Sequence, residues 1–108
     1  MTFLSTATIA LAIGCSSAFL AAAPVSAASE KEVSCTYQSQ VVAAIQNARL
    51  DRVKERDVPA AVAATNPTWP EPYNNAIPLI APWVYEQKMK DLRSQNLGDV
   101  WMELCIQQ

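Results

Sequence analysis

Cysteine, arginine and carboxylate side chains are the groups through which this chain could do chemistry, because it contains no histidine. Histidine is the commonest general base and metal ligand, so catalytic triads, zinc-hydrolase motifs and c-type haem attachment are excluded. Glycoside cleavage needs two carboxylates held a few ångströms apart across a cleft. The acids from position 71 onward are instead dispersed: Glu71, Glu86, Asp91, Asp99 and Glu103. The sequence predicts no catalytic residue, no metal site and no cofactor.

Three cysteines occur in the 108 residues, and the first of them lies in a predicted secretory signal peptide, residues 1–27. This segment has no Lys, Arg, Asp or Glu. It ends with small residues at Val25 and Ala27, a pattern that predicts cleavage before Ala28. Two alternatives stay open: a lipoprotein anchored through Cys15, and an uncleaved membrane anchor, for which the stretch is long enough. All three place residues 28–108 outside the cytoplasm, in the periplasm or beyond.

The other two cysteines, Cys35 and Cys105, are predicted to form a disulfide. An even number of cysteines in a small exported domain indicates such a bond. Closing a loop of this length stabilises by roughly 4 kcal/mol in the chain-entropy model. That is large beside a net stability of roughly 5–10 kcal/mol for a small domain. A redox or metal-binding pair is the alternative, but no C-x-x-C motif accompanies it.

The elements that must position these residues are helices, because helix-forming residues dominate and no Asn-Gly or Asp-Gly hairpin turn occurs. We expect an all-α fold: one small domain, residues 28–108, built as a bundle of about four helices with a Pro-kinked central helix. The first helix is predicted from Ser29 or Ser34 to about Glu55. Its apolar face comprises Tyr37, Val41, Ala44, Ile45 and Ala48, with Cys35 and Val42 at the edge.

Local signals also define the shorter helices. A second helix is predicted over Pro59–Thr65 with Asp57 as its cap. The last is predicted over Leu97–Ile106 with Asn96 as its cap and Asp99 in its first turn. Its apolar face comprises Leu97, Val100, Trp101, Leu104 and Cys105, so the disulfide would clamp this helix onto the first.

Five of the seven prolines fall between positions 67 and 82 and leave two alternatives for the third segment. Either one helix begins at Trp69 and is kinked at Pro78 and Pro82, or a helical turn ends near Ile77 and a new helix follows. Residues 76–85 carry no ionisable or amide side chain apart from the Tyr85 phenol, which predicts the buried centre of the domain. A helical stripe of Tyr85, Met89 and Leu92 is expected to follow.

Two sets of residues are candidate binding sites. Arg49, Arg52 and Arg56 continue the angular line of the apolar face on the first helix. They form either an anion-binding or partner-docking line, or a helix end whose charges complement the negative helix terminus.

The second set is aromatic. Trp69 and Tyr73 lie in the Pro-rich segment, where they could help to form a groove for an extended peptide. The alternative is that they belong to the aromatic bulk of a small core. Among these aromatic residues, Trp69 is the one that we expect to be exposed, because it lies in the Pro-rich turn.

The pattern of Cys35, an amphipathic helix through Ala48, the Val84-Tyr85 segment and a terminal helix with Cys105 resembles small exported bacterial helical proteins with one cysteine near each end. The architecture is also similar to acid-stress periplasmic chaperones of the HdeA type and to periplasmic immunity proteins that neutralise cell-wall-degrading effectors. The resemblance implies a non-catalytic protein.

From these features the predicted function is a binding or interaction protein of the cell envelope with a protein or peptide partner. A stress chaperone and an immunity or inhibitor protein are the alternatives. The net charge of −2 and the pI of about 4.9 argue against a nucleic-acid partner.

Overall fold

The computed structural model describes Gly14 and residues 27–108, and helices make up most of that part of the chain. The five α-helices are α1 (Ala27–Leu50), α2 (Val58–Ala63), α3 (Ile77–Glu86), α4 (Met89–Ser94) and α5 (Leu97–Ile106). Two 3₁₀ turns lie at Glu55–Asp57 and Glu71–Ala76. The described residues form no β-strand. The all-α prediction is therefore confirmed, with five helices where about four were expected.

Helix α1 is the frame on which the other elements pack, chiefly α5 and α3. Its buried residues include Val41, Val42, Ile45 and Ala48. The core is completed by apolar residues from the other four helices: Val58, Val62, Ile77, Ile80, Ala81, Val84, Leu92 and Leu97. The buried arc of α1 is wide because two helices cover it from different sides.

Helix α5 lies antiparallel to α1 and very close to it. The disulfide joins Cys105 to Cys35, while Gly98, at the other end of α5, lies against Ser39 and Ala43. A Cβ atom added at Gly98 would stand 2.8 Å from the Ser39 carbonyl oxygen. Real side chains do not approach a backbone oxygen so closely, so the absence of a side chain at Gly98 allows this helix contact.

Helix α1 ends at Leu50, five residues before the predicted end at Glu55. The Val53 N–H donates to the Ala48 carbonyl and the Arg52 N–H donates to the Arg49 carbonyl, each at 3.0 Å. These two bonds are those of a Schellman motif, which satisfies the last carbonyls of a helix. Arg52 takes the left-handed position of the motif with φ 64°. Glycine usually fills this position. Because Arg52 fills it here, no residue type in the sequence marks the end of the helix.

The second helix and the Pro-rich segment also differ from expectation. Helix α2 begins at Val58, and the side chain of Asp57 makes no capping hydrogen bond. The Pro-rich segment follows the second predicted alternative, a 3₁₀ turn and then a new helix. Pro78 lies in the first turn of α3, where a missing N–H costs nothing, and Pro82 lies in the interior of α3, where it removes one backbone hydrogen bond.

The predicted stripe of Tyr85, Met89 and Leu92 does not lie on one helix. Helix α3 ends at Glu86, and Lys88 has extended backbone with ψ 140° before α4 begins. Leu92 is nonetheless buried, and Tyr85 and Met89 are half-buried against the same core.

Helix α5 begins and ends at the predicted residues. The Asn96 Oδ1 accepts hydrogen bonds from the backbone N–H groups of Gly98 at 3.0 Å and Asp99 at 3.3 Å. Leu97 is buried, and Val100, Trp101 and Cys105 are half-buried. Leu104 does not belong to this face as predicted, since its side chain is 52% exposed at the rim of the α1–α5 contact.

Candidate functional site

The disulfide between Cys35 and Cys105 is formed, with an S–S distance of 2.01 Å and a Cα–Cα distance of 5.7 Å. Cys35 is 1% exposed and Cys105 is half-buried. Because both cysteines are consumed in this bond, neither offers a free thiol or a metal-binding thiolate. The bond fixes the C-terminal half of α5 against the N-terminal half of α1.

The three candidate arginines do not form one line, because α1 ends before two of them. Arg49 is half-buried in the last turn of α1, whereas Arg52 follows the helix end and Arg56 lies in the first 3₁₀ turn, both exposed. Acidic residues alternate with them along the chain, at positions 51, 55 and 57. The segment therefore presents mixed charge instead of a cationic stripe.

Arg49 has a structural environment of its own. Its guanidinium carbon lies 5.0 Å from the centre of the Tyr85 ring, a cation–π contact. The Arg49 Nε is buried without a hydrogen-bond partner in the described part of the chain. The Tyr85 hydroxyl donates to the Val53 carbonyl. Arg49 and Tyr85 thus join the end of α1 to α3, which favours the structural interpretation of this arginine.

The position of Tyr85 alters its acidity. Burial raises the pKa of the Tyr85 phenol above its ordinary value, since the charged phenolate loses solvation. The neighbouring Arg49 opposes the rise in pKa, and the carboxylates of Glu55 and Asp57 add to it. The phenol therefore stays protonated and keeps its hydrogen bond at neutral pH.

Trp69 and Tyr73 are both half-buried, so Trp69 is not the exposed aromatic residue that the sequence predicted. The Trp69 Nε1–H donates to the Asn74 Oδ1 at 2.8 Å. The Tyr73 ring lies 5.2 Å from the Tyr37 ring, and the Tyr73 hydroxyl is 3.2 Å from the Ser34 Oγ. These contacts hold the 3₁₀ turn Glu71–Ala76 on α1.

The other two tryptophans pack against each other. The rings of Trp83 and Trp101 are 5.8 Å apart, and the Trp101 Nε1–H donates to the Gln38 Oε1 at 3.1 Å. The side chains of Trp69, Tyr73, Trp83 and Trp101 all pack against the apolar core. Their arrangement favours a role as core bulk, and it does not bring Trp69 and Tyr73 together with the three arginines.

Two clefts flank the contact between α1 and α5 near the disulfide. One, of about 520 Å³, we call the α1–α5 groove, and its lining residues are Ser29, Glu32, Val33, Thr36, Tyr37, Gln40 and Met102. The other, of about 450 Å³, lies on the disulfide side, and its lining residues are Lys31, Ser34, Cys35, Gln38, Trp101, Leu104, Cys105 and Gln108.

The α1–α5 groove exposes apolar side chains although it lies on a rigid frame. Val33 in the groove is 55% exposed, and Ile106, which lies four positions after Met102 on α5 but does not line the groove, is 44% exposed. Tyr37 and Met102 are half-buried in the groove. Apolar residues that gather in a concave site between fixed helices are typical of a binding surface.

The charge around this groove is negative. Helix α5 carries Asp99 and Glu103 and no basic residue, and Glu32 lies on the α1 side. The neighbouring Lys31 lines the disulfide-side cleft instead.

Neither a metal-binding cluster nor a membrane-spanning helix is found among residues 27–108. Among residues 27–108 there is no group of three or more His, Cys, Asp or Glu that could hold a metal ion. No helix described here has the length and apolarity needed to cross a bilayer. Cys15 and nearly all of the predicted signal segment lie outside the described residues.

The chain matches no protein-family model, no curated protein sequence and no solved structure. Its candidate site is therefore defined by its own geometry alone.

Apart from Tyr37, the residues of the groove were not predicted from the sequence, because they lie outside the inward-facing apolar stripe of each helix. Val33 lies among the polar residues Ser29, Glu32, Thr36 and Gln40, which line the same groove on α1. A single apolar residue within a polar stripe was the available signal, and such residues are common on protein surfaces.

Proposed function

We propose that this protein is an exported, non-catalytic binding protein of the cell envelope. The observation that carries the proposal is the α1–α5 groove, in which exposed and half-buried apolar side chains lie between two helices joined by a disulfide. A rigid apolar cleft lowers the cost of ordering a binding surface, because its shape is fixed before the partner arrives.

The disulfide and the predicted signal peptide support export. Disulfides persist in oxidising compartments and are rare in the cytosol. Since α1 begins at Ala27, cleavage before Ala28 would make α1 start at the mature amino terminus. A positive amino group is unfavourable at the N-terminus of a helix, whereas the acids Glu30 and Glu32 near that end stabilise it.

Mass spectrometry of the protein from its native envelope should find Ala28 as the first residue. A diacylglyceryl group on Cys15 would contradict this cleavage and attach the domain to a membrane.

The distribution of carboxylates favours a binding protein over an acid-activated chaperone. All ten Asp and Glu residues are exposed. Unfolding at low pH is driven by groups whose ionisation is coupled to the folded state, usually buried or paired carboxylates. Protonating exposed carboxylates removes little stabilisation, so the fold should persist in acid. An immunity or inhibitor protein is one form of the proposed function, with an enzyme as its partner.

Two measurements test this proposal. Near-UV circular dichroism at about pH 2.5 should keep the signal seen at pH 7, with no binding of a hydrophobic dye. Loss of that signal with dye binding would replace the proposal by the chaperone alternative.

The second measurement is affinity capture from envelope extract with the mature chain as bait. It should retain a partner in a constant ratio to the bait. The Val33→Gln bait should lose that partner, while the Leu79→Gln bait should keep it, because Leu79 is 79% exposed on α3, away from the groove residues. Failure to retain any partner would refute the proposal.

A further inference from the structure

We infer that the α1–α5 groove binds a basic amphipathic helix of a partner protein. This inference rests on the proposed binding function and adds the chemistry of the partner. Its three supports are the apolar floor of the groove, the helical spacing of its two walls and the sign of the surrounding charge.

The floor of the groove offers anchoring sites for apolar side chains. Tyr37 and Met102 form its half-buried part, and Val33 stands at the rim with more than half of its side chain exposed. Methionine adapts its shape easily to an apolar partner. The volume of about 520 Å³ is large enough for several apolar side chains of a bound peptide.

Helical spacing shapes both walls of the groove. On α1 the lining positions 29, 32, 33, 36 and 40 recur at intervals of three and four residues. On α5, Met102 lines the groove, and the exposed positions 99, 103 and 106 of that helix follow one another at intervals of four and three residues. Two adjacent antiparallel helices present a trough into which a third helix packs. The α1 wall, from Ser29 to Gln40, is about 17 Å long at 1.5 Å per residue, or about three helical turns.

The charge selects a basic partner. Glu32 lines the groove, Asp99 and Glu103 are exposed on the same helix as Met102, and none of the residues that line the groove is Lys or Arg. Two basic residues line other clefts instead: Lys31 lines the disulfide-side cleft, and Arg93 lines a separate cleft with Asn47. Lys and Arg on the flanks of an apolar stripe would therefore face carboxylates, whereas an acidic helix or an anionic lipid surface would be repelled.

The first test uses two synthetic helical peptides of about 14 residues, long enough to span about 21 Å. One carries a Leu stripe flanked by Lys and the other the same stripe flanked by Glu. Fluorescence anisotropy with the mature, oxidised chain should show binding of the Lys peptide that weakens as salt is added. Amide chemical-shift changes should concentrate in residues 29–40 and 99–106. Equal binding of the Glu peptide, no binding of the Lys peptide, or changes centred elsewhere would overturn the inference.

Matched variants separate the groove from general acidity. The groove variant combines Glu32→Gln, Asp99→Asn and Glu103→Gln, and the control combines three exposed acids of other elements: Glu71→Gln, Glu86→Gln and Asp91→Asn. Both variants remove three negative charges. Losing three exposed charge contacts should weaken binding of the Lys peptide about tenfold in the groove variant, with little change in the control. An equal loss in both variants would show attraction by net charge alone and overturn the inference.

If the groove variant does not fold, as judged by circular dichroism, Val33→Gln against Leu79→Gln still tests whether the Lys peptide binds at the groove, since both sites are exposed. The capture experiment distinguishes the two proposals. A captured envelope partner, combined with a Lys peptide that does not bind, would refute the basic helix and leave the binding function standing. If no peptide binds and no partner is captured, both proposals fail.

Discussion

Replacing Gln46 by Met should destabilise the fold more than any other single polar-to-apolar exchange on α1. Gln46 is 6% exposed and makes three hydrogen bonds with backbone far along the chain. Its Nε2 donates to the carbonyls of Leu92 at 2.8 Å and Gln95 at 2.7 Å, and its Oε1 accepts from the Leu97 N–H at 2.9 Å. The side chain thus supplies hydrogen-bond partners to backbone groups at the end of α4 and at the start of α5.

The expected cost follows from these three bonds. Met has nearly the length and volume of Gln, so packing changes little and the hydrogen bonds are lost. Each bond contributes about 0.5–1.5 kcal/mol net, and an unpaired buried N–H costs about 1–3 kcal/mol. The Leu97 N–H is buried and has no other partner among the described residues. We therefore expect the free energy of unfolding to fall by roughly 2–4 kcal/mol, against a total of roughly 5–10 kcal/mol.

Urea denaturation followed by far-UV circular dichroism measures this change, with Gln40→Met as the control. Gln40 lies on the same helix but is exposed, so its replacement should change stability by less than about 0.5 kcal/mol. Hydrogen exchange of the Leu97 amide should also accelerate in Gln46→Met. If the two variants differ by less than about 1 kcal/mol, the net contribution assigned to these hydrogen bonds is wrong.

A pH dependence follows from Gln46→Glu. The introduced carboxylate would accept from the Leu97 N–H, but it could not donate to the carbonyls of Leu92 and Gln95. Protonation restores one donor, so the folded state raises the pKa of this carboxyl. The variant should be most stable below the ordinary carboxyl pKa and should lose stability as pH rises through the folded-state pKa. Stability of this variant that is independent of pH between about 3 and 7 would contradict the geometry.

Three further predictions concern other elements. Arg52→Gly should raise the free energy of unfolding by about 1 kcal/mol, because glycine adopts the left-handed backbone at the end of α1 without strain; a destabilised variant in urea denaturation would contradict this. Tyr85→Phe should remove a loss of stability that the native protein shows above about pH 10. Because the folded state raises the pKa of this phenol, the stabilisation is complete below the unfolded-state pKa and disappears as pH rises through the folded-state pKa. Absorbance at 295 nm should place the titration of the Tyr85 phenol above that of the unfolded chain. Replacing Cys35 and Cys105 by Ala should cost roughly 2–4 kcal/mol and red-shift Trp101 fluorescence once the other two tryptophans are Phe; unaltered stability would mean that packing holds α5 without the bond.

The sequence predicted those features whose causes are local or countable. Helix α5 begins at Leu97 because Asn96 supplies a side-chain cap within three residues of the groups it satisfies. The pairing of Cys35 with Cys105 followed from counting the cysteines left after the predicted signal peptide. The all-α class followed from composition, which needs no knowledge of contacts.

The features that the sequence did not predict depend on where helices meet. The end of α1 at Leu50 uses a left-handed arginine instead of glycine, so no residue type marked it. Gln46 is buried on α1 because its side chain bonds to backbone at the end of α4 and the start of α5, and a glutamine in a helix does not by its type indicate burial. The arginine line disappeared with the same early helix end, since Arg52 and Arg56 no longer share a helix with Arg49.

The groove illustrates the division most clearly. The amino-acid sequence by itself determined that α1 and α5 are amphipathic helices and that a disulfide holds them together, because periodicity and cysteine number are properties of the chain alone. Only the tertiary structure decided that Val33 and Met102 come together from positions 69 residues apart and remain partly exposed. The physical reason is the close approach of α5 to α1 over Gly98, which sets which flank of each helix is covered and which is left open to a partner.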